Sequence, residues 1–334
     1  MSYEVLKKEL KENKLRNIYL FYGVEDYLKN FHLNQIENMT ITEELKSFNY
    51  LFLDESSVSP QAIVDFCESL PVMCDKKLLV IKKTNLLKSK KSSSGINLDG
   101  LMKYFEDIPD YVCIIFVEAN EIDKRSSLYK YIEKSGLTVE FGLQKRDQLS
   151  NWIERVFKEN GKSIGKDEIL YIVDNADTNM QSILNECNKI IDYCFDKKSI
   201  SLEDVKSIIT HSLTFQVFEM IDETAQKNLK KALIMLNEML ILKEPTPRIL
   251  SLIAWRIKIM LQAKVLLKEG LSQNEIAKRT GAYFISKCIK QSDNFSIEKL
   301  EELMYECSIA DVKIKTSAIE DRIILEELII KIAG

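Results

Sequence analysis

Short apolar runs alternate with helix-like stretches along the first part of the chain. Runs of four to six apolar residues bounded by charges or glycine are typical of buried strands, and they lie within 17–23, 48–54, 77–83, 111–119 and 137–142. Segments with helical apolar spacing lie between them, at 24–39, 59–70, 98–108 and 126–136. This alternation predicts a mostly parallel sheet covered on both faces, and hence an α/β domain over residues 1–142.

Beyond residue 142 the pattern becomes helical, and the strands are predicted to stop. Residues 143–211 carry short amphipathic segments, which predict a small helical domain. Residues 212–334 carry longer segments with wide apolar faces, interrupted at Pro245 and Pro247, as in a helical bundle. The Lys-, Ser- and Gly-rich stretch 86–100 has little to bury and is predicted to be a solvated loop.

Composition and charge argue against several classes of protein. The net charge of −4 and the pI of about 5.6 argue against a protein that coats nucleic acid, although they leave room for a local basic face. Seven scattered cysteines without a C-x-x-C pair, and two histidines, argue against a zinc site and favour reduced thiols. The chain opens without a signal-peptide pattern and has no long apolar run, so we expect a soluble cytoplasmic protein.

Gly23 follows the first apolar run and precedes a helix-like segment, as the first glycine of a phosphate-binding loop does. Such a loop reads G-x-x-x-x-G-K-[ST]. We expect the second glycine, the lysine and the hydroxyl to be absent here, and Glu25 and Asp26 to repel an arriving phosphate. A magnesium-positioning acid is also missing, because the third run ends in Lys82 and Lys83.

A third loss lies in the small helical domain. Active P-loop relatives often carry an arginine there that senses the γ-phosphate, and Gln181 stands at about that place. Together the three losses favour a P-loop-like fold that no longer hydrolyses ATP. The alternative is that there was never a nucleotide fold and that Gly23 merely ends a strand.

Two further segments have more than one interpretation. Leu70, Val72 and Met73 form an apolar cluster rimmed by charges, which is typical of a binding hot spot, although the residues alone favour a place in the core. Segment 271–291 looks like a helix-turn-helix, with the small residues Ala277 and Gly281 near the expected places of the turn. Its basic residues Arg279, Lys287 and Lys290 could reach phosphate or bases. A DNA-binding regulator therefore stays an alternative, as does an ATPase with an atypical P-loop.

Seven strings occur in a specific order: IYLFYGVEDYL (18–28), ESLPVMCDKKLLVIKK (68–83), DKRSSLYKYIEKSG (123–136), LSNWIERVFKENGKSI (149–164), ILNECNKI (183–190), TFQVFEMID (214–222) and DVKIKTS (311–317). In this combination the chain resembles the delta subunit family of bacterial DNA polymerase III along essentially its whole length. The resemblance implies a P-loop-like AAA+ α/β domain with a parallel sheet (1–142), a small helical lid domain (143–211) and a C-terminal helical collar domain (212–334).

The resemblance also implies a function. Members of this family bind the sliding clamp (the beta subunit) and help to open its ring for loading on primed DNA. They join the gamma/tau and delta-prime subunits through the collar. No cofactor, metal or membrane contact is implied, and no catalysis by this chain itself, although the family is classed with the DNA-directed DNA polymerase (nucleotidyltransferase) holoenzyme. Leu70, Val72 and Met73 match the family's apolar plug positions, with Val and Met in place of the Leu-Phe pair of some relatives.

Overall fold

The five apolar runs form the strands of one sheet. In a computed structural model of the chain, which describes residues 2–84, 86–87, 98–119, 122–176, 179–280 and 285–334, they are β1 (Ile18–Tyr22), β2 (Tyr50–Leu53), β3 (Lys77–Lys82), β4 (Val112–Val117) and β5 (Leu137–Glu140). All five predicted strands are therefore confirmed. Most of the predicted loop 86–100 lies outside the described residues.

The sheet has the order β2-β3-β4-β1-β5, and every neighbouring pair is parallel. Ile18 is level with Ile114 on one side and Tyr19 with Leu137 on the other. β1 and β4 are buried along their whole length, which explains their uninterrupted apolar sequences. Because all strands run the same way, their carboxyl ends share one edge of the sheet and their amino ends share the opposite edge.

Helices cover both faces of the sheet, as predicted. Alternate β1 side chains face opposite ways. Leu20 joins a core that includes the helical residues Ile63, Leu101 and Leu128. On the other face the Phe21 ring lies 5.2 Å from that of Phe141, which in turn lies 5.8 Å from the rings of the helical residues Tyr3 and His32. The helices of this part are α1 (Ser2–Lys11), α2 (Asp26–Thr40), α3 (Lys46–Asn49), α4 (Pro60–Glu68), α5 (Leu98–Phe105) and α6 (Ser127–Ser135).

Residues beyond 142 are mostly helical, but the prediction that the strands stop there is wrong. Ser163–Ile164 (β6) and Ser199–Ile200 (β7) pair as a second, parallel sheet. Two-residue strands are too short to produce a period that a sequence pattern can reveal. The surrounding helices are α7 (Arg146–Glu159), α8 (Lys166–Asn175), α9 (Met180–Tyr193) and α10 (Leu202–Ile208).

The last part of the chain is a helical bundle around one apolar core, as its wide apolar faces predict. Pro245 precedes the longest of its helices and Pro247 lies in that helix's first turn, so the predicted break is confirmed. The helices are α11 (Leu213–Ala225), α12 (Leu229–Ile241), α13 (Thr246–Lys268), α14 (Gln273–Thr280), α15 (Ile285–Ser292), α16 (Ile297–Thr316) and α17 (Asp321–Ala333).

The chain divides into two compact units. The first comprises residues 1–145 with 179–181, and the second comprises 146–178 with 182–334. The second unit holds both the small helical segment and the bundle, so a boundary at residue 211 stays a prediction. Within the described ranges, no helix is both long and apolar enough to cross a bilayer.

Candidate functional site

The loop between α4 and β3, residues 69–76, presents apolar side chains to solvent at the amino edge of the sheet. Leu70 is 73% exposed, Val72 39% and Met73 88%. Met73 has a φ of 54°, in the left-handed region that a non-glycine residue rarely adopts. The interpretation of these residues as core is therefore wrong, whereas their role in binding stays a prediction. Large exposed apolar side chains on an unusual backbone indicate a contact surface.

Asn49 fixes the backbone of this loop. Asn49 ends α3, immediately before β2, and its side chain is fully buried. Its amide donates to the Val72 carbonyl (2.9 Å) and accepts from the Val72 N–H (2.8 Å), as a neighbouring strand would. Because β2 and β3 are adjacent and parallel, Asn49 and the loop meet at the same edge.

Lys77, the first residue of β3, fixes the start of the loop. It is 1% exposed, and its ammonium donates to the carbonyl oxygens of Phe66 (2.7 Å) and Ser69 (3.0 Å) and to the Ser69 hydroxyl. The ammonium also lies 4.0 Å from the centre of the Phe66 ring. These contacts satisfy carbonyls at the carboxyl end of α4. The apolar side chains therefore project from a backbone that is held at both ends.

Replacing Asn49 with alanine should loosen the loop. Two hydrogen bonds to Val72 are lost and a cavity forms, which we expect to reduce the free energy of unfolding by about 2 kcal/mol. Denaturant titration measures this loss, and a protease of broad specificity such as subtilisin should cleave faster within residues 69–76. The matched control is Asn151→Ala on an exposed face of α7, expected to change stability by less than about 0.5 kcal/mol. Equal stability and cleavage in both variants would show that Asn49 does not hold the loop.

Phe48 is a second apolar element beside the loop that the sequence pattern did not single out. It is 58% exposed and directly precedes Asn49, the residue bound to Val72. Four-residue α3 is too short for a helical period, so only the exposure of an aromatic residue marks Phe48. It supplies an aromatic ring near a loop that has none between Leu70 and Met73.

Gly23 lies at the opposite, carboxyl edge, directly after β1. Its φ is 118°, and a Cβ there would lie 2.4 Å from the carbonyl oxygen of Phe141. Phe141 follows β5, and its own N–H donates to the Tyr22 carbonyl at 2.7 Å. Glycine is therefore required here by the close approach of the backbone after β5.

The expectation that the P-loop lysine is absent is wrong. Lys29 stands six residues after Gly23, which is the lysine position of G-x-x-x-x-G-K-[ST], with Leu28 and Asn30 in place of the second glycine and the hydroxyl. Lys29 is 3% exposed, and its ammonium donates to the carbonyl oxygens of Gly23 (2.6 Å) and Glu118 (3.0 Å). Its charge is thus committed to the protein's own backbone.

The two acids after Gly23 have different environments. Glu25 is 1% exposed and forms the N-cap of α2, accepting from the Tyr27 N–H at 3.3 Å and from the Met180 N–H at 3.3 Å. Asp26 points to solvent, and its carboxylate lies 2.8 Å from the Lys29 ammonium. Gln181, next to Met180 and grouped with the first unit, is exposed on the first turn of α9. Glu25, Lys29 and the start of α9 therefore meet at this edge.

The end of β3 carries a cation where a magnesium-positioning acid is expected. The Lys82 ammonium donates to the Asn30 side chain at 3.0 Å, and burial lowers the pKa of Lys82. Lys83 is exposed with a φ of 56°. A carboxylate missed by the sequence pattern, Glu118 after β4, is buried and accepts from both the N–H (3.0 Å) and the hydroxyl (2.9 Å) of Thr84.

The segment with the helix-turn-helix pattern is part of the bundle. α14 and α15 are present, but Gly281 lies outside the described residues. On α15, Cys288 is buried 2.7 Å from the Arg256 guanidinium, and the Lys287 ammonium lies 3.1 Å from Asp222. Two of the other predicted residues, Arg279 and Lys290, are exposed. Ala277 packs against the core of the bundle. Packing within the bundle explains the motif-like spacing.

The first unit is a parallel α/β domain whose carboxyl edge carries a degenerate P-loop, and the second unit is mainly helical, which is the fold class predicted from the sequence. Two family models match the chain: "DNA polymerase III, delta subunit" over residues 19–142, and "DNA polymerase III delta subunit, C-terminal domain" over 214–332. The chain belongs to the DNA polymerase III delta subunit family.

Individual relatives agree with this assignment. The chain is 25% identical to DNA polymerase III subunit delta of Bacillus subtilis (strain 168) over 331 residues, covering 97% of this chain and 95% of the relative. It is 22% identical to a probable DNA polymerase III subunit delta of Aquifex aeolicus over 228 residues, covering 67% and 63% of the two chains. The solved Bacillus subtilis DNA clamp loader delta protein has the same fold, with a TM-score of 0.65, 22% identity, and coverage of 100% and 99%.

Proposed function

We propose that this chain is the clamp-loader subunit that binds the sliding clamp and helps to hold one interface of the ring open, without hydrolysing ATP. The observation that carries the proposal is the loop 69–76, which presents Leu70, Val72 and Met73 on a fixed backbone. A rigid apolar projection fits a hot spot, since little conformational entropy is lost when it enters a pocket. Membership of the delta subunit family supports the same function.

The carboxyl edge of the sheet supports the absence of hydrolysis. Lys29 is bound to backbone carbonyls, and Lys82 lies where an acid would position magnesium. Asn30 stands at the hydroxyl position of the motif and Lys82 at the acid position, so neither position carries the group that phosphoryl transfer uses. An ATPase with an atypical P-loop is therefore disfavoured, although its P-loop lysine is present.

The bundle is proposed to join the other loader subunits, gamma/tau and delta-prime, with primed DNA bound by the assembled loader. Its outer surface carries apolar side chains that are half exposed or more, which would suit burial between subunits. They lie on three helices: Ile241 and the adjoining Leu242, Tyr305, Val312, Ile323 and Ile330.

Binding of the purified chain to the sliding clamp of the same organism tests this function. We expect saturable binding without nucleotide, unchanged by ATP and magnesium. Absence of binding would contradict the proposal. Specific duplex binding by the free chain would instead favour a regulator acting through residues 271–291, and turnover of ATP would favour an ATPase.

Phe48 is expected to contribute to the same surface. Phe48→Ala should weaken clamp binding by roughly fivefold, about 1 kcal/mol, because an exposed aromatic ring beside the anchored loop is lost. Titration calorimetry or surface plasmon resonance measures the change. Phe195→Ala, an 81% exposed phenylalanine in the second unit, is the matched control and should bind as the wild type does. Equal affinities of both variants would exclude Phe48 from the interface.

A further inference from the structure

The Glu25 carboxylate accepts hydrogen bonds from N–H groups at the starts of two helices. Its oxygens accept from the Tyr27 N–H, in the first turn of 15-residue α2, and from the Met180 N–H, which opens 14-residue α9, each at 3.3 Å. The side chain is 1% exposed. Helix amino termini bind anions through free N–H groups and the helix dipole, and nucleotide phosphates in P-loops use such a position.

Lys29 brings a positive charge near this carboxylate, while its ammonium itself donates to the carbonyl oxygens of Gly23 and Glu118 and pairs with Asp26. It holds the lysine position of the P-loop and is 3% exposed. Burial raises the pKa of Glu25, whereas the N–H groups of Met180 and Tyr27 and the charge of Lys29 oppose that rise. Burial and the neighbouring Asp26 outweigh these groups, so the net pKa of Glu25 is raised, but the same N–H donors and charge would face any anion in its place.

A similar substitution is present at the metal position. In a P-loop protein, the hydroxyl after the lysine and an acid at the end of another strand of the same sheet hold magnesium. Here those two positions carry Asn30 and Lys82, whose side chains are hydrogen-bonded at 3.0 Å. An ammonium group and an amide thus stand at the two sequence positions that hold the metal ion in a P-loop protein.

We propose that the Glu25 carboxylate is a permanent internal substitute for a nucleotide phosphate, held by the N–H groups of Tyr27 and Met180 at the starts of α2 and α9, with the charge of Lys29 nearby. The contact joins residues 155 apart in sequence, both of which belong to the first unit. A shorter neutral side chain at position 25 leaves a site for a phosphate anion. This inference does not depend on the clamp-binding function and would survive its failure.

Two substitutions of Glu25 distinguish the effect of its charge from the effect of the volume that its side chain fills. Glu25→Ser keeps an N-cap oxygen for α2 but vacates the rest of the site, whereas Glu25→Gln removes the charge and keeps the site filled. The melting temperature of each full-length variant is measured in orthophosphate and in sodium chloride of equal ionic strength. Wild type and Glu25→Gln are the controls, because their shift in melting temperature measures the general stabilisation that orthophosphate gives any protein.

We expect orthophosphate to raise the melting temperature of Glu25→Ser by about 2 °C or more beyond its effect on the wild type. The double variant Glu25→Ser, Lys29→Met should lose this additional shift. If Glu25→Ser folds only in phosphate, that result supports the proposal equally.

Three results would overturn the proposal. One is a phosphate shift in Glu25→Ser no larger than that of Glu25→Gln. Another is the same shift in the variant that also lacks Lys29. The third is failure of Glu25→Ser to fold in either salt.

Discussion

The triple variant Leu70→Ala, Val72→Ala, Met73→Ala is expected to bind the sliding clamp at least roughly a thousandfold more weakly than the wild type. Truncation of a hot-spot residue reduces the binding free energy by about 2 kcal/mol. Even if the three effects are not fully additive, we expect their sum to exceed about 4 kcal/mol, which corresponds to a factor of about a thousand in affinity. Leu70 and Met73 are 73% and 88% exposed and Val72 is 39% exposed, so we expect their truncation to change the stability of the free chain little. Titration at several concentrations of clamp measures the loss, with the melting temperature as a check of folding.

Val24 and Leu143 supply the matched control for this variant. They are 47% and 40% exposed in the same unit and follow β1 and β5, at the opposite edge of the sheet. Val24→Ala, Leu143→Ala should bind the clamp with unchanged affinity. Wild-type affinity in the triple variant would place the clamp contact elsewhere on the chain.

Replacing Gly23 with alanine should be among the most destabilising single substitutions in the first unit. A Cβ would lie 2.4 Å from the oxygen, 2.8 Å from the carbon and 2.9 Å from the nitrogen of the Phe141 backbone, and the φ of 118° is itself strained for alanine. Because backbone must move to relieve these contacts, we expect a loss of about 3 kcal/mol or more. Denaturant unfolding monitored by circular dichroism measures the difference.

Gly142 is the control for that substitution, since it lies one residue after Phe141 and has open space around its Cβ position. Gly142→Ala should change the free energy of unfolding by less than about 0.5 kcal/mol. If the two alanine variants were equally stable, packing against the backbone after β5 would not be what requires Gly23.

The architecture of the first unit was predictable because its strands are buried on both faces. Such strands leave uninterrupted apolar runs, and all five were found in the correct places. The strands β6 and β7 were missed because two residues cannot show a period. Burial is therefore visible in the sequence only where an element is long enough for a pattern.

The candidate sites were less predictable because they depend on contacts between distant residues. Asn49 and Val72 are 23 positions apart, and Glu25 and Met180 are 155 apart. No local pattern distinguishes a buried Glu25 from the exposed Asp26 beside it. Lys29, by contrast, could have been predicted from the sequence, because its spacing from Gly23 is that of the P-loop lysine. It was missed because Leu28 stands in place of the second glycine, so the motif is incomplete.

The most direct test of the central claim is a measurement of ring opening. A sliding clamp labelled with donor and acceptor dyes across one subunit interface is mixed with a saturating amount of this chain and no nucleotide. We predict that energy transfer falls on binding, that ATP with magnesium does not change the result, and that the triple variant has no effect. Saturated binding with unchanged energy transfer, or a fall that requires ATP, would contradict the function proposed for this chain.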